Sequence, residues 1–268
     1  MPTRINVFAC LATLTLAVVV HAAETPPPDE TGFWQLWTAH TNAAADHAAV
    51  AQSCAAFRAK SPGDVLVVVA QEMEAWHLLK ADKTNDAARL LEPLTAASSN
   101  ALEKTGAEIA RSWLTRIDRE LVRVALKRVY LRDVEFPLSL DAIATLKRFL
   151  PPPLTDRWNV PWSYQPTNFA TIKGTDRQRY ILESSRLGAD SDLARALAAP
   201  YAARINLEAV RVSESGASGE TVEFVSASKK KSALMLGTET DGITVAFIGK
   251  TVIVLADKNY WRVMLRPR

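Results

Sequence analysis

Residues 151–166 read PPPLTDRWNVPWSYQP, in which three prolines are followed by two tryptophans and a tyrosine among turn-forming residues. Asp156 can accept hydrogen bonds from the backbone of a turn, as aspartate commonly does. Trp162 and Tyr164 are two positions apart, so both side chains point to one face of any strand that contains them. The stretch predicts a turn that leads into a strand, and we expect the aromatic face of that strand to be covered.

A second strand is predicted by the run RYILESS at residues 179–185. Tyr180, Leu182 and Ser184 alternate along this run and therefore share one face. We expect it to pair with the first strand across a loop formed by residues 166–179. Together the two runs predict a small antiparallel sheet.

A long helix is predicted before these strands. Asn100 and Glu103 form a capping-box pattern, and helical periodicity then continues until Pro137 excludes it. The helix carries an apolar stripe at three- and four-residue steps, made of Ile109, Trp113, Ile117, Leu121 and Val124. Its charged residues are expected to form a solvated, mutually compensating surface; they include Asp118, Arg119, Glu120 and Arg123. A short helix over residues 140–149 should follow, capped by Ser139 and ended by the three prolines.

The part of the chain before residue 100 is rich in alanine and in helical periodicity. It predicts helices over residues 34–59, 65–80 and 86–94, with Asp64 as the cap of the second helix. Polar turns separate these segments. We therefore expect neighbouring helices to be antiparallel and to form a small bundle of helical hairpins.

The last part of the chain has the pattern of short strands. Five β-rich runs follow residue 219, and polar or glycine-containing turns separate them. They predict a small antiparallel sheet or barrel. The fold class is therefore α+β, with N-terminal helical hairpins, a long helix packed on a small antiparallel sheet, and a C-terminal small all-β domain. The predicted units are a signal peptide (1–22), a helical hairpin region (23–97), an α+β domain (98–192), a linker helix (193–204) and a small antiparallel β domain (205–268).

Residues 1–22 differ from the rest of the chain. Arg4 precedes an uncharged apolar run that is short for a membrane span, and small residues lie before position 23. This pattern predicts a secretory signal peptide and a periplasmic or secreted protein. The alternative is an uncleaved anchor, in which case membrane contact is made only through this segment. Cys10 leaves with the signal, and Cys54 lies in an apolar helical context where a buried, unreactive thiol is expected.

Charge and motifs give no reason to expect several classes of function. The formal net charge of +3 gives no electrostatic reason to expect a nucleic-acid partner. The sequence has no nucleophile elbow, phosphate loop, dinucleotide fingerprint or zinc-ligand spacing. We therefore expect neither catalytic residues nor a cofactor.

The order of the long helix, EFPLSLDAI, DRWNVPWSYQP and YILESSRLGADSD resembles the globular part of type II secretion pseudopilins. That family has a helix, a proline-marked turn, a D-x-W-G-x-P-x-x-Y segment and a Y-x-L-x-S-x-G-A-D ending on a small antiparallel sheet. The resemblance covers residues 100–192. The first motif is matched by Asp156, Trp158, Pro161 and Tyr164, and the second by Tyr180, Leu182, Ser184, Gly188 and Asp190.

The chain departs from the family pattern in identifiable places. Asn159 stands where the family has glycine, and asparagine is the other residue that accepts a left-handed backbone, so the turn should be retained. Residues 1–22 lack the prepilin-peptidase site and the acidic residue that begin a pseudopilin. Some members hold calcium near the second motif, but Asp190 and Asp192 supply too few oxygens, so a polar turn is expected there.

Two roles are open for the tryptophan-rich segment. Its aromatic side chains can pack the small sheet onto the long helix, as large aromatic residues usually do. Alternatively, Trp158 and Trp162 form an exposed platform for a sugar or a peptide. We favour packing, and the structural motif then consists of Asp156, Trp158, Asn159, Pro161, Trp162, Tyr164, Tyr180 and Gly188.

These patterns predict an exported, non-catalytic structural or interaction protein that is associated with a type II secretion or pilus-like assembly and has protein partners in the cell envelope. The alternative is a periplasmic metal-dependent enzyme whose ligands come from the first helices, namely His40, His47, Glu74 and His77. The two classes should differ visibly. An interaction module exposes an apolar patch or an open sheet edge, whereas an enzyme needs a cleft with convergent ionisable groups.

Overall fold

The computed structural model describes residues 27–42, 46–96, 98, 100–144, 152–172, 175–198, 201, 207–214, 220–226, 231–240 and 242–267. The predicted signal peptide lies outside these residues. Among the helices that the structure does describe, none has both the length and the hydrophobicity needed to cross a bilayer.

Helices come first in the chain and strands last, so the predicted α+β class is confirmed. The described α-helices are α1 (Glu30–His40), α2 (His47–Lys60), α3 (Val67–Lys80), α4 (Thr84–Leu91), α5 (Ala101–Asp133), α6 (Asp141–Ala144) and α7 (Leu193–Ala198). Short 3₁₀ segments cover Glu92–Thr95 and Ala189–Ser191. The described strands are β1 (Ser163–Ile172), β2 (Thr175–Glu183), β3 (Leu207–Glu214), β4 (Glu220–Ser226), β5 (Lys231–Met235), β6 (Glu239–Thr240), β7 (Ile243–Ile248), β8 (Val252–Ala256) and β9 (Trp261–Leu265).

The single helix predicted over residues 34–59 was wrong, because this segment forms α1 and α2. Asp46 starts α2 by accepting hydrogen bonds from the backbone N–H groups of Ala48 and Ala49, at 2.9 and 3.4 Å. A side chain that caps a new helix in this way cannot lie inside a continuous one. The apolar spacing on both sides of the break had hidden it.

The long helix agrees with its predicted boundaries. Asn100 accepts a hydrogen bond from the backbone N–H of Glu103 at 2.7 Å, which confirms the cap. The helix ends at Asp133, and Val134 follows with a left-handed φ of 62°. The short helix predicted over residues 140–149 begins at Asp141, and residues 145–150 lie outside the described part of the chain.

Helix α5 buries different faces along its length. Its N-terminal half buries the predicted stripe at Ile109, Trp113 and Ile117. Its C-terminal half buries another face instead, made of Val122, Ala125, Leu126 and Val129. The extension of the stripe to Leu121 and Val124 was therefore wrong, since these residues are 53% and 44% exposed. The reason is that α5 changes partner, from the helical bundle to the β1–β2 hairpin.

The predicted pairing of the two aromatic strands is confirmed by β1 and β2, which are antiparallel with Tyr164 opposite Leu182. The loop predicted over residues 166–179 was wrong, because both strands continue through most of it. Trp162 and Leu182 pack with the C-terminal half of α5 and with Ile143 of α6. The hairpin therefore lies on the long helix, as the sequence predicted.

The C-terminal strands form two antiparallel sheets, β3–β4–β5 and β6–β7–β8–β9. Every residue of β8 is buried. Val252, Val254 and Ala256 join the core of the helical bundle, whereas Ile253 and Leu255 join the core between the two sheets. The molecule is thus layered here as helices, sheet and second sheet, and the continuous apolar run of β8 is typical of a strand covered on both faces.

Glu30, at the start of α1, attaches the helical bundle to the turn between β7 and β8. Its buried carboxylate accepts hydrogen bonds from the backbone N–H groups of Lys250, Thr251 and Val252, at 2.8, 2.5 and 2.9 Å. Gly249 lies against this carboxylate, and a Cβ at that position would come within 2.6 Å of it. Burial opposes ionisation, but the hydrogen bonds outweigh it and lower the pKa of Glu30.

The predicted units are not separated by their packing. One hydrophobic cluster contains Phe33 of α1, Met73 of α3, Trp113 of α5 and Trp261 of β9. Residues from the predicted helical hairpin region and from the predicted C-terminal β domain therefore share a core. The boundaries at 97, 192 and 204 remain a prediction from the sequence.

Candidate functional site

Asp156 is the centre of the predicted motif, and its side chain is buried. One carboxylate oxygen accepts hydrogen bonds from the backbone N–H groups of Trp158 and Val160, each at 3.0 Å. The other accepts from the hydroxyl of Ser184 at 2.7 Å. Asp156 thus forms the turn that the sequence predicted, and it also joins the two halves of the motif, which are 28 residues apart.

Two motif residues adopt backbone conformations that require their residue types. Asn159 has a φ of 60°, as predicted for the position where the family has glycine. Gly188 has a φ of 54° and pairs with Ser184 in an isolated β-bridge. Pro161 pairs with Thr155 in a second bridge, which closes the Asp156 turn.

The aromatic residues of the strands pack against the long helix. Trp162 is only 6% exposed, and its indole N–H donates to the carbonyl of Pro153 at 2.9 Å. The hydroxyl of Tyr164 donates to the carbonyl of Pro137 at 2.7 Å, and burial raises its pKa to about 12. Tyr180 packs against Phe136 with ring centres 4.7 Å apart. A platform that uses both Trp158 and Trp162 cannot form, because Trp162 is in the core.

Trp158 has a different environment from Trp162. It is half-buried and lines a polar cleft of about 680 Å³ next to α5. Its indole N–H donates to Glu108 at 2.8 Å, and the guanidinium of Arg186 lies 5.1 Å from the ring centre. The lining of this cleft also includes Thr95, Arg111, Asp118, Thr155 and Arg157.

The arginines of the cleft are all paired with carboxylates. Arg157 binds Asp118 through two nitrogens and Glu92 through a third. Arg111 donates to Glu108 at 2.5 Å and to the carbonyl of Thr95 at 2.8 Å. The pKa of Asp118 is raised because its burial outweighs the effect of Arg157. The ionisable groups of the cleft therefore converge, but as a charge-balanced network.

The predicted solvated surface of α5 was partly wrong. Asp118 is buried, and Arg119 donates to the carbonyl of Leu182 at 2.8 Å and to Asp192 at 3.0 Å. These side chains attach α5 to the 153–162 turn and to the hairpin. Only the pair between Glu120 and Arg123 has the expected surface geometry, with a distance of 2.7 Å.

The histidines of the first helices do converge. Nδ1 of His40 lies 2.9 Å from Nε2 of His77, and Nδ1 of His77 lies 2.9 Å from Nδ1 of His47. Burial lowers the pKa of His77 to about 4, and neighbouring His47 and Lys80 act in the same direction. Burial also lowers the pKa of His40. The result is a chain of three neutral imidazoles, in which His40 lies among Trp37, Trp76 and Tyr201, whereas His47 is part-buried and contacts Trp76.

The fourth predicted ligand lies elsewhere. Glu74 is paired with Arg58 at 2.6 Å. His77 uses its two ring nitrogens toward different partners, so the imidazoles do not surround one point. Within the described residues, no group of three or more histidine, cysteine or acidic side chains is arranged to hold a metal ion. Cys54 is buried, and burial raises the pKa of its thiol to about 12, as expected for an unreactive cysteine.

Besides Glu30, two buried residues of ionisable type, Glu72 and Arg116, were not predicted from the sequence. Glu72 is buried and accepts from the indole of Trp261, and burial raises its pKa well above the usual range, which favours its protonated form. Arg116 is buried and donates to the carbonyl of Asp190 and to Asn259, at 2.8 and 2.7 Å. Their partners are distant in the chain, and no local pattern identifies them.

The structure thus contains buried polar groups with partners inside the protein, a cleft whose charged side chains are paired with one another, and a chain of three histidines. No family model matches the sequence, and comparisons with curated proteins and with solved structures give no match either. Inferences about function accordingly depend on the surfaces and contacts of this chain.

Proposed function

We propose that this is an exported, non-catalytic interaction protein of a type II secretion or pilus-like envelope assembly, and that its C-terminal half of α5 contacts a protein partner. The proposal rests on an apolar face of that helix. Leu121 is 53% exposed, Val124 44% and Leu131 71%. Their spacing of three and seven residues places them on one side of the helix, opposite the side that packs on the hairpin.

The apolar surface continues beyond the helix end. Val134 and Leu138 follow α5, and both are exposed, Leu138 by 89%. Val134 also has a left-handed φ of 62°, which is costly for a β-branched residue. Exposed apolar side chains grouped along one segment in this way are typical of protein contact sites. We name Leu121, Val124, Leu131, Val134 and Leu138 the α5 apolar face.

Charge indicates the class of partner. Lys127 and Arg128 lie on α5 between the apolar residues, and Arg132, which follows Leu131, is paired with Asp133 at 2.6 Å. A helix with an apolar stripe and acidic flanks complements such a surface, because its stripe covers the leucines while its carboxylates meet the basic side chains. The proposed partner is therefore an acidic amphipathic helix of an envelope protein.

The motif around Asp156 and the β1–β2 hairpin supports the same class of function. The arrangement of α5, the Asp156 turn and the β1–β2 hairpin agrees with the helix, turn and small sheet that the pseudopilin resemblance implies. The hairpin is a two-stranded sheet within the described residues, so each strand has an edge without a neighbouring strand. Open edges of this type are a second feature of interaction modules.

The metal-enzyme alternative has weaker support. The converging histidines favour it, but Glu74 is bound to Arg58 and the histidine nitrogens are directed at one another. Three neutral histidines in an aromatic core are explained by packing and mutual hydrogen bonds.

The proposal can be tested by affinity capture from the cell envelope with the full chain and with a variant carrying Leu121→Glu and Leu131→Glu. We expect secretion-channel or pilus-like proteins to co-purify with the unmodified chain and to be lost from the variant. Both residues are exposed, so the thermal unfolding midpoint should change little.

A matched control carries Met235→Glu and Leu236→Glu, which alter apolar residues of similar exposure on the β region. This control should retain the captured proteins. Capture of the same proteins by all three chains would contradict the proposed surface. A chain without protein partners that carries stoichiometric metal would contradict the proposed class.

A further inference from the structure

Hydrogen-bond donors that line the cleft beside the Asp156 turn meet at the carboxylate of Glu108. Glu108 accepts from Arg111 at 2.5 Å and from the indole N–H of Trp158 at 2.8 Å. The guanidinium of Arg186 lies 3.6 Å from the same carboxylate. These donors come from α5, from the 153–162 turn and from the 184–188 loop, so the tertiary fold assembles them.

The donor chemistry suits a carboxylate. Guanidinium groups bind carboxylates through planar, charge-assisted hydrogen bonds, and an indole N–H adds a directional donor. The Arg186 guanidinium also stacks over Trp158, which holds it near the site. Room for the remainder of a ligand is present, because Arg111, Trp158 and Arg186 line the cleft of about 680 Å³.

Glu108 is a replaceable occupant of this position. Its side chain is 45% exposed, and those of its partners Arg186 and Arg111 are 55% and 27% exposed. Ion pairs between exposed side chains contribute little to stability, so an incoming carboxylate can displace Glu108 at small cost. Arg157 is different, because it is bound to Asp118, whose side chain is only 6% exposed. Arg157 therefore forms a fixed wall of the cleft.

We propose that this cleft binds an acidic peptide segment, one carboxylate of which takes the position that the Glu108 carboxylate occupies. Glu108 then acts as an intramolecular competitor that keeps the affinity of the site low. The inference goes beyond the proposed function, because the site lies near residues 108–111 and not on the α5 apolar face. Its occupant is a flexible acidic segment.

The experiment measures binding of an acetylated, amidated tetraglutamate peptide to the full chain by calorimetry at low salt. The variant Glu108→Ala removes the competitor and should bind the peptide at least about tenfold more tightly than the unmodified chain. Adding Arg111→Gln to Glu108→Ala should abolish this gain. Salt should weaken the binding, as expected for charge-assisted contacts.

The matched control is Glu120→Ala, which removes the same charge from the same helix about 18 Å away at 1.5 Å per residue. It should bind like the unmodified chain, and a tetraglutamine peptide should bind to none of the chains. The variant with Leu121→Glu and Leu131→Glu should still bind, which separates this site from the α5 apolar face.

Several results would overturn the proposal. Equal gains in Glu108→Ala and Glu120→Ala would indicate a general charge effect, and absence of peptide binding to Glu108→Ala would exclude the site. Tight binding of succinate without binding of tetraglutamate would assign the cleft to a small dicarboxylate in place of a peptide.

Discussion

Asp156 shows how one side chain positions the aromatic residues around it. Its carboxylate fixes the backbone at Trp158 and Val160 and binds Ser184. Trp162 then enters the core, whereas Trp158 remains at the cleft. Two tryptophans four positions apart therefore have different roles, one in stability and one beside a polar surface.

Substitution of the two tryptophans should separate these roles. Trp162→Ala is expected to lower the free energy of unfolding by about 3–5 kcal/mol, because it leaves a cavity against α5 and removes a donor from Pro153. Trp158→Ala should cost about 1 kcal/mol, since its ring is half-buried. Urea unfolding of both variants measures the difference. Equal losses would contradict the packing role assigned to Trp162.

Protonation of the histidine chain and of Glu72 should affect stability in opposite directions. His40 and His77 have lowered pKa values, so the unfolded state binds protons first as the pH falls below about 6.5. The stability that the two neutral histidines contribute is present above this pH. It is lost progressively as the pH falls toward their pKa values in the folded protein, which is about 4 for His77. Glu72 has a raised pKa, so the folded protein retains a proton there that the unfolded chain releases. Lowering the pH therefore stabilises the folded state through Glu72.

The variant Glu72→Gln isolates the histidines. Its free energy of unfolding should fall by about 2.7 kcal/mol between pH 7.5 and pH 5.5, about 1.4 kcal/mol for each of His40 and His77. The unmodified chain should show a smaller fall over the same range, because the raised pKa of Glu72 acts in the opposite direction. Denaturant titrations at the two pH values provide the measurement. A fall of the same size in both chains would contradict the assignment of a protonated Glu72.

Helix α1 offers a test of how elements are joined. Glu30→Ala leaves the backbone donors of Lys250, Thr251 and Val252 without the carboxylate, so we expect a loss of about 2–4 kcal/mol in the free energy of unfolding. The control Lys60→Ala breaks the exposed pair with Asp29 and should cost less than about 1 kcal/mol. Chemical denaturation compares them. A loss of less than about 1 kcal/mol for Glu30→Ala would contradict its role as the attachment of α1 to the β7–β8 turn.

Local patterns predicted the elements better than their partners. The cap at Asn100, the turn at Asp156 and the left-handed Asn159 follow from residue type and near neighbours, so the sequence was sufficient for them. The exposure of Leu121 and Val124 depends on which neighbour α5 meets, and that information lies in residues 153–183. Glu72 and Arg116 are similar cases, since their partners Trp261 and Asn259 are more than a hundred residues away.

The wrong prediction at the boundary between α1 and α2 has the same cause. The break between α1 and α2 interrupts a continuous apolar spacing, and only the capping role of Asp46 indicates it. The metal-site alternative required the histidines to approach one another, and they do. Their spacing alone could not show that the nitrogens would bind each other and that Glu74 would pair with Arg58. Interactions that depend on the angles between side chains were therefore not predictable from the spacing of residues along the sequence.

The protein as a whole combines a packed interior with two surfaces suited to contacts. Helices, the β6–β9 sheet and the β3–β5 sheet form successive layers around β8, and α5 continues beyond the bundle to carry the hairpin. Its C-terminal half presents the α5 apolar face on the side opposite the hairpin. The charge-balanced cleft lies next to the N-terminal half of α5. Interior ionisable groups have structural partners, which agrees with the proposed non-catalytic function.

Site-specific cross-linking in intact source cells tests the proposed contact most directly. A photoreactive phenylalanine analogue is placed at position 131, on the α5 apolar face, and in a separate chain at position 236, on the β region. We predict a covalent adduct with an envelope protein from position 131 and none from position 236. Adducts only from position 236, or no adduct from position 131 in a correctly folded chain, would contradict the proposed role of the α5 apolar face.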